Sequence, residues 1–338
     1  MKVLHLAAGN RWTGAAAPAF AEVEALRMAG ADAHYAYVGG YKLQAKLAHH
    51  DFAHPLIEKA QNPLSFSRTV RKLDEIIRRH GFDVLHAHLT YDHWLARIVA
   101  RGTSVAIART FHARRVLRRD PFTRSLLSRT RLRFVINDAF CEQLPGAIFT
   151  PPPIDHRQFH PDGPKLLLEP PIVTAIGKLS KDRGFEDALQ TFAILRTTVP
   201  NARLMIIGHG EHRPALEQFA ASLGIAEQVI WAGYHEDDLA EHYRASDLLL
   251  FTARGSDEGH RAILEAMACG IPPAVYPLEG MRALVEDAHI AAAPTPEALA
   301  ATAAALLTGE SRRDAMYERS LEFGYARAAQ RLMDAYQS

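Results

Sequence analysis

The run Gly255-Ser256-Asp257-Glu258-Gly259-His260-Arg261-Ala262-Ile263-Leu264-Glu265-Ala266-Met267-Ala268-Cys269-Gly270-Ile271-Pro272 gathers side chains suited to gripping a polar ligand. An apolar strand leads into a small acidic loop, and the loop leads into a helix that Gly270 ends. Backbone N–H groups at such a helix start favour an anion or a hydroxyl. Two helical turns separate Asp257 from Glu265, so both carboxylates can face one side. Each carboxylate accepts two hydrogen bonds and suits vicinal hydroxyls such as a ribose diol. The plainer reading has Asp257 and Glu258 complementing the helix dipole and Glu265 at the surface. However, Glu265 stands among Ala262, Ile263, Leu264, Ala266, Met267 and Ala268. An acid in so apolar a helix is expected to be half-buried and to need a partner.

A second group is cationic. Lys178 and Arg183 follow a buried strand, Ile172–Ile176, and precede a helix opening at Gly184-Phe185. Two cations there can neutralise a diphosphate leaving group, whose charge grows in the transition state. The turn Gly208-His209-Gly210 ends another strand and fits the same phosphate. Alternating His86 and His88 share one face of a strand end. With no third ligand legible nearby, packing is the expected role. His112 follows another strand end, as a site residue or as a loop histidine capping a helix. Arg109, Arg114, Arg115, Arg118, Arg119, Arg124, Arg129, Arg131 and Arg133 crowd one segment with a single acid, Asp120. Such a patch suits an anionic acceptor or acidic membrane face, or is simply a solvated helical face. Few aromatics interleave with it, which argues against single-stranded nucleic acid.

These residues sit on a βα rhythm. Strand Lys2–Ala7, a loop with Gly14, a helix over 16–29 and a run Ala33–Val38 make one βαβ unit, which implies a parallel sheet. Runs at 82–88, 104–108 and 134–136 continue it. Thr150-Pro151-Pro152-Pro153 breaks the pattern and reads as a linker. The rhythm then restarts with strands at 172–176, 203–207, 229–231, 248–251 and 273–276, and helices between them. The segment Arg312–Tyr336 is expected to be helical and amphipathic. Ligands of such sheets bind at the C-terminal strand ends.

The 338 residues, 48% hydrophobic and 23% charged, suit two globular domains. A net charge of +1 gives no global sign of nucleic-acid binding. Two distant cysteines, Cys141 and Cys269, make neither a disulfide framework nor a Cys-based metal site, and Cys269 reads as a small core residue. No apolar stretch reaches the roughly 18 residues of a membrane span. The opening apolar run is short and ends at Gly9, unlike a signal peptide, so a cytoplasmic protein is expected.

The segment from Asp257 to Pro272 resembles the donor signature of retaining GT-B glycosyltransferases of family 4, in which two acids precede Ala-Met-Ala-x-Gly-x-Pro. Ile176-Gly177-Lys178-Leu179 with Lys181-Asp182-Arg183-Gly184 resembles the family's diphosphate-holding pair. Gly208-His209-Gly210 resembles its Gly-x-Gly strand end, and Trp231-Ala232-Gly233-Tyr234 its aromatic turn beside the base. Gly14 resembles the N-terminal glycine loop, His112 the Thr-x-His near the donor sugar, and Pro153-Ile154-Asp155 with Phe159 the interdomain segment. Lys178 stands where Arg is usual, Arg183 where Lys is usual and Pro153 where Gly is usual. The basic exchanges keep charge but change geometry.

The resemblance implies an α/β chain of two Rossmann-like, doubly wound domains facing a cleft. Residues 1–152 would be acceptor-side, residues 153–315 would bind the nucleotide sugar, and 316–338 would form a helix packing back on the first domain. The implied reaction moves a hexosyl group, with retention, from a UDP- or GDP-sugar to a carbohydrate or lipid-linked acceptor, with no metal or cofactor. His112, Lys178, Arg183 and Asp257 would be catalytic. Gly14, Gly177, Gly208, Gly210, Tyr234, Glu258, Gly259, His260, Arg261 and Glu265 would bind the donor. Whether Asp257 or Glu258 is the first site acid stays open. Peripheral contact with an anionic membrane would run through Arg114, Arg115, Arg118 and Arg119. The alternatives are a catalytically silent nucleotide-sugar-binding protein and a GT-B nucleotide-sugar 2-epimerase. A dehydrogenase is poorly supported, because the first βα turn lacks GxGxxG.

Overall fold

The computed structural model describes residues 1–9, 12, 14–59, 62–114, 120–169, 171–253 and 260–338. They form two compact units, Met1–Pro153 with Gly324–Ser338, and Ile154–Phe323.

The first unit is built on seven strands: β1 Lys2–Ala7, β2 Asp32–Val38, β3 Ala53–Ile57, β4 Val84–Ala87, β5 Ala106–Phe111, β6 Leu132–Val135 and β7 Ile148–Phe149. All pair in parallel in the order β3-β2-β1-β4-β5-β6-β7. Central strands such as β1 and β4 are buried on both faces, which explains their near-continuous apolar runs. Val3 and Ala7 pack with Val23 and Leu26 of helix Ala16–Met28 and with Leu332 and Tyr336 of helix Tyr325–Gln337. Leu4 and Leu6 face the other layer, against Leu73 and Ile77 of helix Pro63–His80. The Tyr325 hydroxyl donates to Glu24 at 3.1 Å, tying the last helix to the first.

The second unit has five strands: β8 Ile172–Ile176, β9 Arg203–Ile207, β10 Val229–Gly233, β11 Leu248–Phe251 and β12 Pro273–Val275. They are parallel, in the order β10-β9-β8-β11-β12. Phe185, Leu189 and Phe192 of helix Phe185–Leu195 pack on Val173, Ala175, Leu204 and Ile206, with helix Pro296–Thr308 beside them. In each sheet the chain order reverses beside the first strand, between β1 and β4 and between β8 and β11. That reversal opens a crevice at the carboxyl ends, where open α/β sheets bind ligands.

The doubly wound architecture expected from the sequence is therefore present. The single helical segment expected over Arg312–Tyr336 divides into Arg313–Ser320, a tight turn Leu321–Phe323, and Tyr325–Gln337, because Gly324 is extended. Arg313 holds the first piece in the second unit, donating to the Ser246 carbonyl at 2.6 Å and Asp247 Oδ1 at 3.1 Å. No helix among the described residues is long and apolar enough to cross a membrane.

Candidate functional site

The crevice of the second unit begins where β8 ends. Gly177 and Lys178 leave β8, and the backbone there is knitted to the end of β9. Gly177 N–H donates to Ile207 O, and Leu179 N–H to His209 O, both at 3.0 Å. Gly208 N–H donates to Gly233 O at 2.6 Å, bringing in the end of β10. Such contact leaves no room for side chains. A Cβ on Gly208, whose φ is +146°, would run into the Gly177 carbonyl, and one on Gly210 into the Leu179 carbonyl. These two glycines hold the strand exits together, a role their sequence pattern did not distinguish from phosphate contact.

Lys178 is exposed, its Nζ 3.5 Å from Glu211 Oε1, which is also exposed. An ion pair so wet is weak, so Lys178 can exchange Glu211 for a phosphate. Arg183 ends the turn Lys181–Arg183 that leads through Gly184 into helix Phe185–Leu195. It is half-buried, and its Nε is buried with no hydrogen-bond partner among the described residues. A desolvated guanidinium N–H without an acceptor favours an anionic ligand. Tyr234, exposed after β10, meets the His209 ring edge-on with centroids 5.1 Å apart.

Across the crevice, β11 leads towards helix Arg261–Ala268. Asp257, Glu258 and Gly259 lie outside the described residues. His260 caps the helix at φ 49°, ψ 35°, and is the one non-glycine at positive φ among the described residues. A left-handed histidine is strained, and such strain gathers at ligand-binding turns. Glu265 is buried, more deeply than the half-burial expected from its apolar helix. Arg261 Nε lies 2.7 Å from its Oε1, and the buried Tyr243 hydroxyl donates to its Oε2 at 3.2 Å. Burial and the neighbouring Glu265 charge hold Tyr243 well above the ordinary phenol range. A buried carboxylate held from two sides in this way is fixed in orientation at the helix that follows β11. The sequence alone gives Tyr243 no part in the site. Its place one strand earlier carried no local signal. Cys269 is a buried core residue, its thiol pushed up to about 12 by burial.

In the first unit Gly14, at φ 65°, is exposed just before helix Ala16–Met28. Trp12 packs edge-on against Phe20 of that helix at 5.3 Å. His112 follows β5 and is half-buried, its Nε2 3.0 Å from His88 Nδ1. Burial, reinforced by the Arg109 charge, lowers His112 to about 3, so it is neutral at physiological pH. The arginine patch is smaller than its sequence suggests. Arg109 points inside β5 and is buried, and Arg133 is half-buried, its Nη2 donating to Leu127 O at 3.4 Å. Strand alternation turned both inward, so neither belongs to a solvated helical face. Arg114 is exposed with its guanidinium 5.6 Å from the Phe140 ring centre. Arg115, Arg118 and Arg119 lie outside the described residues.

His86 and His88 are not isolated, which corrects the expectation that no third ligand lies near. Register places His5 of β1 beside His86 of β4, and Glu22 descends onto both from helix Ala16–Met28. All four side chains are buried. Glu22 Oε2 lies 3.6 Å from His5 Nδ1, 3.7 Å from His88 Nε2 and 3.9 Å from His86 Nδ1. Burial lowers His5 to about 3, pushes His86 and His88 well down and raises Glu22 to about 8.

The sequence matches two family models, Glycosyltransferase Family 4 over residues 12–141 and Glycosyl transferases group 1 over residues 157–323. It is 32% identical over 142 residues to mannosylfructose-phosphate synthase of Agrobacterium fabrum, covering 37% of this chain and 31% of that protein. It is 31% identical over 137 residues to a GDP-mannose-dependent alpha-(1-6)-phosphatidylinositol monomannoside mannosyltransferase of Mycolicibacterium smegmatis, covering 36% of each. The chain thus spans about a third of the length of these relatives. Anabaena HepE, solved in complex with UDP, superposes over 100% of both chains with TM-score 0.80 at 16% identity. With one family model on each parallel sheet and the fold shared along its whole length, the chain belongs to the family 4 glycosyltransferases of the GT-B fold.

Proposed function

We propose that the protein is a retaining hexosyltransferase that takes its donor, a nucleoside diphosphate sugar, in the crevice between β8 and β11. The observation that carries this reading is the pairing of two chemistries at one switch point. Lys178 and the buried, unpartnered Nε of Arg183 follow β8, while the buried Glu265 stands on the helix that follows β11. Cations suit a diphosphate, and an oriented carboxylate suits a diol. The GDP-mannose dependence of the Mycolicibacterium smegmatis relative points the same way.

In the proposed reaction the bond from the anomeric carbon to the diphosphate oxygen breaks. A bond to the acceptor oxygen forms on the same face, and the acceptor proton passes to a leaving phosphate oxygen. Lys178 and Arg183 stabilise the charge that grows on the diphosphate. Glu265 holds the ribose and Asp257 or Glu258 a donor-sugar hydroxyl, and the role proposed for neutral His112 rests on its resemblance to the family's Thr-x-His. No metal is assigned to the transfer, since two side-chain cations carry the leaving-group charge. The acceptor is a carbohydrate or lipid-linked hydroxyl. Peripheral attachment to an anionic membrane through the Arg114–Arg119 segment belongs to the same proposal, and equal binding to anionic and neutral liposomes would refute it.

A thermal-shift screen against UDP-, GDP- and ADP-sugars tests donor binding, because a ligand held by the folded state raises apparent stability by mass action. One nucleotide class should raise Tm in a concentration-dependent way. No shift with any at millimolar concentration would contradict the proposal.

A further inference from the structure

We propose that His5, Glu22, His86 and His88 form a closed binding site for one divalent transition-metal ion of the zinc type, inside the first unit and separate from the donor crevice. Glu22 is the unsatisfied member of the cluster. Its Oε2 is buried and has no hydrogen-bond partner among the described residues, although three imidazole nitrogens surround it. At 3.6, 3.7 and 3.9 Å those nitrogens are too far to hydrogen-bond to it. They are close to the spacing of ligands around one ion, since bonds of about 2.0–2.2 Å in a tetrahedron set ligands roughly 3.3–3.5 Å apart. One candidate ligand atom from each residue lies within 4.8 Å of every other. His5 Nδ1 and His88 Nε2 approach more closely, at 3.0 Å.

The donor set of imidazoles and one carboxylate suits zinc or cobalt better than calcium or magnesium, which favour oxygen. Outer contacts are also in place, as histidine ligands need them. His88 can donate from Nδ1 to His112 Nε2 at 3.0 Å, and His86 from Nε2 to Thr110 Oγ1 at 2.7 Å. The Tyr336 hydroxyl lies 2.6 Å from His86 Nδ1 and 3.4 Å from His5 Nε2. When His86 Nδ1 turns to the ion, that hydroxyl accepts from His5 instead. Protein atoms fill all four positions, so the ion is structural and leaves no open position for substrate. Through His88 it would fix the tautomer of His112.

The experiment is Co²⁺ titration of metal-stripped full-length protein, read by visible absorption, with Zn²⁺ displacement and a zinc-dependent Tm as second readouts. Expected are the intense visible bands of four-coordinate cobalt, saturating at one ion per chain, with a Tm that Zn²⁺ raises. Glu22→Gln, which keeps shape and hydrogen-bonding capacity, should weaken binding at least tenfold. His235→Gln should leave the bands unchanged, because the second cluster His235, Asp238 and His242 lies apart in the other unit. Wild-type protein without bands or Tm rise would overturn the proposal. So would bands lost in His235→Gln but kept in Glu22→Gln.

Discussion

Chemistry in this molecule hangs on a few side chains left short of partners. Arg183 is one: its Nε, without a hydrogen-bond partner among the described residues, is desolvated before any ligand arrives. Arg183→Ala should lower kcat/KM with the preferred donor roughly 10²–10³-fold, the usual loss on removing one preorganised donor to developing charge. Arg183→Lys should recover only part of it, because Lys restores the charge without the planar fork. Steady-state kinetics of the three proteins would check both. Tyr243→Phe removes one group that orients Glu265, and should raise the donor Kd by about tenfold, near the worth of a hydrogen bond to a charged group. Isothermal titration with the donor would measure it. The sequence exposed Glu265 because an acid interrupts an apolar helix. It concealed Tyr243, an ordinary core aromatic until the fold turns its hydroxyl towards a carboxylate.

At the scale of elements, backbone contact decides what the strand exits tolerate. Gly208→Ala would press a methyl into the Gly177 carbonyl at a φ that alanine avoids, and should destabilise the second unit by at least about 2 kcal/mol. Denaturant melts monitored in that unit, at Trp231, would report it. Helix Pro63–His80 starts on a reciprocal cap, with Asn62 and Ser65 each accepting the other's backbone N–H at 2.9 Å. Asn62→Ala should cost about 1 kcal/mol, visible as a small fall in Tm. Strands such as β1, β8, β9 and β11 were legible because burial on both faces writes unbroken apolar runs. Strand β3 (Ala-His-Pro-Leu-Ile) was not, since it is a half-exposed edge strand with no such run. The histidine cluster needed the fold as well. Glu22 shares a helical face with Ala19, Val23 and Leu26, a readable oddity, but only parallel register sets His5 beside His86.

At the scale of the whole molecule, two doubly wound units divide the work in the proposed scheme, donor on the second and acceptor on the first. Both sheets reverse order beside their first strand, and the sequence already implied this through a βα rhythm interrupted by three prolines. It could not bring the Lys178–Arg183 segment together with Glu265, since the two segments are joined only by topology. The account stands or falls on those residues acting as one donor site. Its most direct test is the initial rate of nucleoside diphosphate release from the donor giving the largest thermal shift, in wild-type protein, Lys178→Ala and Glu265→Ala. The account predicts that each variant keeps its fold by circular dichroism and loses roughly 10²-fold or more in kcat/KM. Near wild-type rates in both variants would contradict it.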